Sequence, residues 1–151
     1  MNFLFEIEPV AKGRPRFTRA GIAYTPTKTR SFEKELKTLA QEEMKNKGWE
    51  MIKDKPVDLW IIFFNPIPKS YSKKERGACL NGEMFPAKKP DIDNLVKGVS
   101  DALNGVVWED DKQICRLVSV KQYCTKKIPN PCIVVSVAEL IDLEKSPDFW
   151  E

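Results

Sequence analysis

The most restrictive segment of the chain is Val57 to Phe64. Val57, Leu59, Ile61 and Phe63 fall on one side of an extended backbone, and Trp60, Ile62 and Phe64 fall on the other. A strand with one wet face alternates apolar and polar residues. One that is apolar on both faces belongs in the middle of a sheet, with a layer over each side. Pro66 and Pro68 stop it. A chain of 151 residues is long enough to build such a sheet as one domain with a real core, and needs no disulfide or metal staple to fold.

The remaining patterns supply the layers. Phe3, Phe5 and Ile7 alternate, which predicts a strand over 2–8 that Pro9 ends. Phe32, Leu36, Leu39, Ala40 and Met44 keep helical spacing, which predicts an amphipathic helix over 28–47 with Gly48 at its C-cap. A short helix from Ser72 is expected inside the basic connection 69–90. Ile92, Leu95, Val96, Val99 and Leu103 form a second helical stripe, closed by Asn104-Gly105. Val106 to Trp108 reads as extended, and two further strands are expected at 113–123 and 132–140. The order predicts a single α/β (α+β) domain over 1–141, a mixed sheet flanked by helices, with 142–151 as a C-terminal tail.

Composition removes several chemistries. There is no histidine, so a Ser-His-Asp triad, a Cys-His pair and a His-containing zinc site are excluded on this chain. Cys79, Cys115, Cys124 and Cys132 show no Cys-x-x-Cys spacing and read as reduced structural residues, with a four-cysteine zinc site formally open. Met1 to Pro9 carries two acids and no base, unlike a secretory signal, and the apolar run Leu59 to Phe64 is far too short to cross a membrane. A cytoplasmic protein is expected.

The charge is unevenly placed. Residues 66–90 hold six bases and two acids, 91–111 hold six acids and one base, and 112–127 hold five bases and no acid. Bases attract a polyanion, while clustered acids repel it unless they hold a cation. The acids are Asp91, Asp93, Asp101, Glu109, Asp110 and Asp111, and Lys97 lies one helical turn past Asp93. Asp91 and Asp93 converge only if a helix begins beside them, and Pro90 fits that boundary. Three carboxylates meeting at one point call for a hard cation such as Mg²⁺, and that arrangement suits metal-assisted phosphodiester hydrolysis, with Lys97 placed to stabilise phosphoryl charge. The same residues admit a plainer reading: Asp91 or Asp93 as a helix N-cap, Asp110-Asp111 as a turn, and Lys97 as an ion-pair partner of Asp93 or Asp101.

The run Lys89-Pro90-Asp91-Ile92-Asp93-Asn94-Leu95-Val96-Lys97, continued by Asp101-Ala102-Leu103-Asn104-Gly105 and Trp108-Glu109-Asp110-Asp111-Lys112-Gln113-Ile114, closely resembles the signature of the RusA family of Holliday junction resolvases. Lys12-Gly13-Arg14-Pro15-Arg16 and Tyr24-Thr25-Pro26 are similar to the N-terminal region of the same family. The resemblance covers about residues 3 to 140. It implies a homodimeric, bacterial or phage-encoded endonuclease that needs Mg²⁺, with Mn²⁺ able to substitute, uses no small-molecule cofactor, and nicks four-way DNA junctions symmetrically in recombination and repair. Carried over by position, Asp91, Asp93 and Asp111 are metal-binding catalytic carboxylates, Lys97 is the catalytic lysine, and Asp110 and Asp101 are supporting acids. Phosphate contacts are expected first from Lys12, Arg14, Arg16 and Arg19, then from Lys69, Lys73, Lys74 and Arg76, and from Lys88 and Lys89 beside the acids. Phe17, Tyr71 and Phe85 sit in the basic connections, either as wedges at the junction centre or as anchors of their loops. Two other functions fit the charge pattern: a nuclease acting on flaps or other branched DNA, and a non-catalytic nucleic-acid-binding module.

Overall fold

In the computed structural model, residues 1–145 are described. The strands are β1 (Asn2–Phe5), β2 (Arg16–Phe17), β3 (Ala23–Tyr24), β4 (Val57–Asn65), β5 (Ile114–Tyr123) and β6 (Cys132–Glu139). The helices are α1 (Thr27–Lys47), α2 (Lys73–Leu80) and α3 (Ile92–Leu103), and a 3₁₀ turn spans Asp111–Gln113. Four strands form one mixed sheet in the order β1-β6-β4-β5, and β2 pairs with β3 as a separate hairpin. β4 runs parallel to β5 and antiparallel to β6, so the chain between β4 and β5 is a crossover carrying α2 and α3.

The doubly apolar strand takes the interior position its pattern requires. On one face Val57, Leu59, Ile61 and Phe63 join Phe3, Phe5, Ile133, Val135 and Val137 against the apolar stripes of α1 (Phe32, Leu36, Ala40) and α3 (Leu95, Val99, Leu103). α1 ends at Gly48, whose φ of 64° is a left-handed conformation that glycine adopts without a Cβ penalty. The expected cover on the other face is only partial. Ile62 and Phe64 pack on Cys124, Cys132 and Ile128, but Trp60 is half-buried, and Leu4 and Val120 are exposed there. The reason is that both long helices lie on the first face, leaving the loop after β5, the end of α2 and the chain after β6 for the second.

An ion pair organises that thinner side. Asp58 is buried and pairs with the Arg116 guanidinium, while the Trp60 indole N–H donates to Asp58 Oδ1 at 2.8 Å. Arg116 also donates to the carbonyls of Leu143 (2.7 Å) and Lys145 (2.5 Å), which fixes the first residues of the expected tail on the sheet. Positions 146–151 of that tail lie outside the described residues.

Two sequence expectations change in detail. β1 stops at Phe5, because beyond it the chain leaves β6 and the Ile7 N–H turns back to the Phe5 carbonyl at 2.8 Å. Val106 and Val107 are not extended: both of their N–H groups donate to the Leu103 carbonyl at 3.0 Å, prolonging the turn that ends α3. Only Trp108 bridges, to Ile52 and Asn104. The four cysteines are free, three of them buried, and burial pushes the Cys132 thiol up to about 11. Among the described residues no helix is long and apolar enough to cross a membrane.

Candidate active site

The start of α3 is held from two directions. On one side, Lys121 of β5 reaches back and its ammonium donates to the carbonyls of Lys88 (2.6 Å) and Pro90 (2.8 Å). On the other, the Lys12 N–H donates to the Asn94 carbonyl at 2.9 Å. The approach is close because residue 98 is glycine: a Cβ there would stand 3.1 Å from the Val10 carbonyl oxygen.

This clamped end presents two carboxylates. Asp91 occupies the N-cap position in an extended conformation, yet its side chain makes no capping hydrogen bond. Asp93 follows in the first turn, where the helix dipole favours an acid. Both are exposed. The capping explanation for Asp91 therefore fails, and its oxygens face solvent.

Lys97 is taken up by Asp101, as the ion-pair reading anticipated. Asp101 Oδ1 lies 2.9 Å from Lys97 and Oδ2 lies 2.8 Å from Lys12, whose ammonium is also 2.7 Å from Glu33. Burial alone would push the Asp101 carboxyl up, but hydrogen bonds from Lys12 and Lys97 outweigh it and hold the group below its ordinary value. Lys97 remains 59% exposed. Lys12, expected among the phosphate contacts, ties the segment that leads into β2 to α1 and α3.

Asp110 and Asp111 play different parts. The Asp110 carboxylate accepts from the Lys112 N–H at 2.9 Å, and the Asp110 N–H donates to Gln113 Oε1 at 2.8 Å, the reciprocal cap of the 3₁₀ turn. Gln113 is buried and donates onward to the carbonyls of Ile52 (3.1 Å) and Lys55 (3.0 Å). Asp111 is held through Oδ1 by the indole N–H of the fully buried Trp108 at 2.7 Å. Through this bond Trp108 orients Asp111.

Among the described residues no group of three or more acidic or cysteine side chains is gathered closely enough to hold a metal ion. The crossover explains why. α3 runs back along the sheet for 12 residues, about 18 Å, before β5 begins. Its start is tied to Lys121 near the far end of β5, while Asp111 immediately precedes the near end. The chain brings Asp91 and Asp93 into one turn and leaves Asp111 with Trp108.

The expected DNA-contacting residues sort by partner. Arg14, Arg16 and Arg19 are exposed and form no ion pair among the described residues. Lys69, Lys73, Lys74 and Arg76 are exposed on α2 and the loop before it. Lys88 lies 4.9 Å from the centre of the Tyr71 ring, and the Tyr71 hydroxyl is 2.8 Å from that of Tyr123, so Tyr71 is an anchor. Phe17 and Phe85 are not, with 68% and 57% of their surfaces exposed. Sequence reading missed Lys28 and Lys121. They join Lys88 and Lys89 around a cavity of about 420 Å³ beside the start of α3. They lie on α1 and β5, and nothing in sequence spacing signals that convergence.

Comparison with known proteins agrees with the motif. The family model for "Endodeoxyribonuclease RusA" matches residues 6–137. The chain belongs to the RusA endodeoxyribonuclease family. RusA proteins are hydrolases that cut DNA, associated with Holliday junction resolution, and they generally depend on a divalent metal. A Bacillus subtilis (strain 168) protein named "Uncharacterized protein YqaN" is 38% identical over 121 residues, covering 77% of this chain and 82% of that protein.

Proposed function

We propose that this RusA-family protein is a Mg²⁺-dependent homodimeric endonuclease that resolves four-way DNA junctions by paired nicks, in recombination and repair. The observation that carries the reading is the pair of solvent-facing carboxylates at a clamped helix start beside a cluster of lysines: Asp91 makes no capping hydrogen bond, and among the described residues neither Asp91 nor Asp93 forms an ion pair.

The donor chemistry fits a hard cation. All the acids offered are carboxylates, and Mg²⁺ is commonly held by one or two of these together with waters and substrate phosphates. Asp91 and Asp93 would hold it. Asp111 would join them only after a rearrangement or from a second copy of the chain. Bound there, the ion supplies polarisation of the phosphoryl oxygen and a more acidic water.

The chain's own residues do the rest. Lys28, Lys88, Lys89 and Lys121 give the scissile strand a cationic seat next to the two acids. Lys97 leaves Asp101 and meets the charge that develops on the phosphoryl group. Asp101 keeps Lys12 as a partner throughout, so it is not stranded when Lys97 departs.

The test compares cleavage of a mobile four-way junction with that of linear duplex, with and without Mg²⁺. Wild type should cut the junction only with the metal. Asp91→Asn should lose cleavage while binding the junction as well or more tightly, because one repulsive charge has gone. Normal cutting by that variant would remove Asp91 from the site. A flap substrate cut faster than the four-way junction would reassign the substrate.

A further inference from the structure

Residues 14–24 bury nothing: every one of them is exposed. They nonetheless form an ordered ribbon. β2 and β3 pair Arg16 with Tyr24 and Phe17 with Ala23, the Thr18 N–H donates to the Ile22 carbonyl at 2.9 Å, and Gly21 turns the tip with a φ of 79°. Phe17 is 68% exposed, Ile22 65% and Tyr24 43%. Cross-strand partners share a face, so Phe17 stands on one side of the ribbon and Tyr24 and Ile22 on the other. A two-stranded hairpin without a core is marginal in water, and three large apolar side chains in solvent oppose the hydrophobic effect until a partner covers them.

The root of the ribbon is fixed even though its strands are bare. The Gly13 N–H donates to Thr29 Oγ1 at 3.0 Å, and Lys12 is bound to the Asn94 carbonyl, Asp101 and Glu33. The ribbon thus leaves the body next to the residue that follows Asp93. Its charge names the class of partner: residues 9–32 hold six bases and no acid. A second copy of the ribbon would bring like charges together, whereas DNA offers phosphates for the arginines and base faces for the aromatic.

We propose that the β2–β3 ribbon is a wedge for the DNA branch point, with Phe17 stacking on a base left uncovered where strands exchange and Arg14, Arg16 and Arg19 on the flanking phosphates. This rests on the nuclease reading above. In continuous duplex each base is stacked on both faces, so an aromatic must first separate them. A branch point leaves base faces open, and the ribbon therefore selects structure rather than sequence.

The experiment uses the full chain and a four-way junction carrying 2-aminopurine at the branch point. Wild type should change the probe's fluorescence and cut the junction. Phe17→Ala, at a position that packs in no core, should keep the melting temperature and the affinity for linear duplex. It should abolish the fluorescence change and lower junction cleavage about tenfold, as expected for loss of one base-stacking contact. Phe17→Trp should restore both. A Phe17→Ala protein that cuts the junction and perturbs the probe like wild type overturns the wedge, as does one that instead loses self-association in sedimentation without DNA. A wild-type protein that cuts no junction overturns the nuclease reading instead, and its fluorescence response on binding still decides the wedge.

Discussion

Asp101 and Lys12 form a 2.8 Å ion pair across the joint between α3 and the loop that leads to the β2–β3 ribbon. The pair places the ribbon root and the helix bearing Asp91 and Asp93 in one rigid unit, because the same carboxylate also holds Lys97 and the same ammonium also holds Glu33.

That network predicts an acid-side loss of stability. The Asp101 carboxyl sits below its ordinary value of 3.8 in the folded chain, burial being outweighed by the two lysines. A group with a depressed folded pKa contributes stability above its unfolded pKa, and the contribution is lost as the pH falls through the folded value. Asp101→Asn should therefore be less stable than wild type at neutral pH, by about 1 kcal/mol for a partly exposed pair. The difference should vanish on acidification below the folded pKa. Urea unfolding across that pH range measures it, and a gap that persisted in acid would contradict the assignment.

Arg116 makes a larger prediction. Its guanidinium is the partner of a buried carboxylate and also holds the carbonyls of Leu143 and Lys145. Among the described residues, Arg116→Ala leaves Asp58 with the Trp60 indole as its remaining side-chain partner, so this variant should lose more stability than Asp101→Asn. Adding Asp58→Asn should recover part of that loss, since the stranded charge is then removed. Chemical denaturation of the two variants and the double variant gives the coupling, and a fully additive cycle would mean that the pair contributes nothing.

Trp108 should act on chemistry more than on folding. Phenylalanine at this position keeps most of the buried apolar surface and deletes the N–H that orients Asp111. With Asp111 in the metal-binding role, Trp108→Phe should lower the maximal cleavage rate about tenfold, the effect of losing a partner that orients a ligand. Its affinity for the junction should be unchanged. Steady-state rates at saturating junction separate the two, and an unaltered rate would leave Asp111 a structural residue.

Much of this architecture was legible beforehand. The spacing of Phe32, Leu36, Ala40 and Met44 carries α1, the Leu95 to Leu103 stripe carries α3, and the two-faced run at 57–64 carries the central strand. Those elements are read locally because burial repeats with the period of the backbone itself. Asp91 and Asp93 were legible for the same reason: both lie in one short motif. Lys28 and Lys121 were not, because their convergence on the start of α3 depends on how a helix and a strand far apart in sequence are brought together.

The sequence by itself determined the long helices, the central strand and the two strands after it, the excluded chemistries and the family signature, all of which depend on residue type and short-range spacing. Only the tertiary structure decided that Lys12 is committed to Asp101 and Glu33, that Asp111 answers to Trp108 rather than to Asp91, and that the basic loop is a bare ribbon with Phe17 outward. A crossover helix running back along the sheet separates residues that look like neighbours in the motif, and joins others that the sequence keeps far apart.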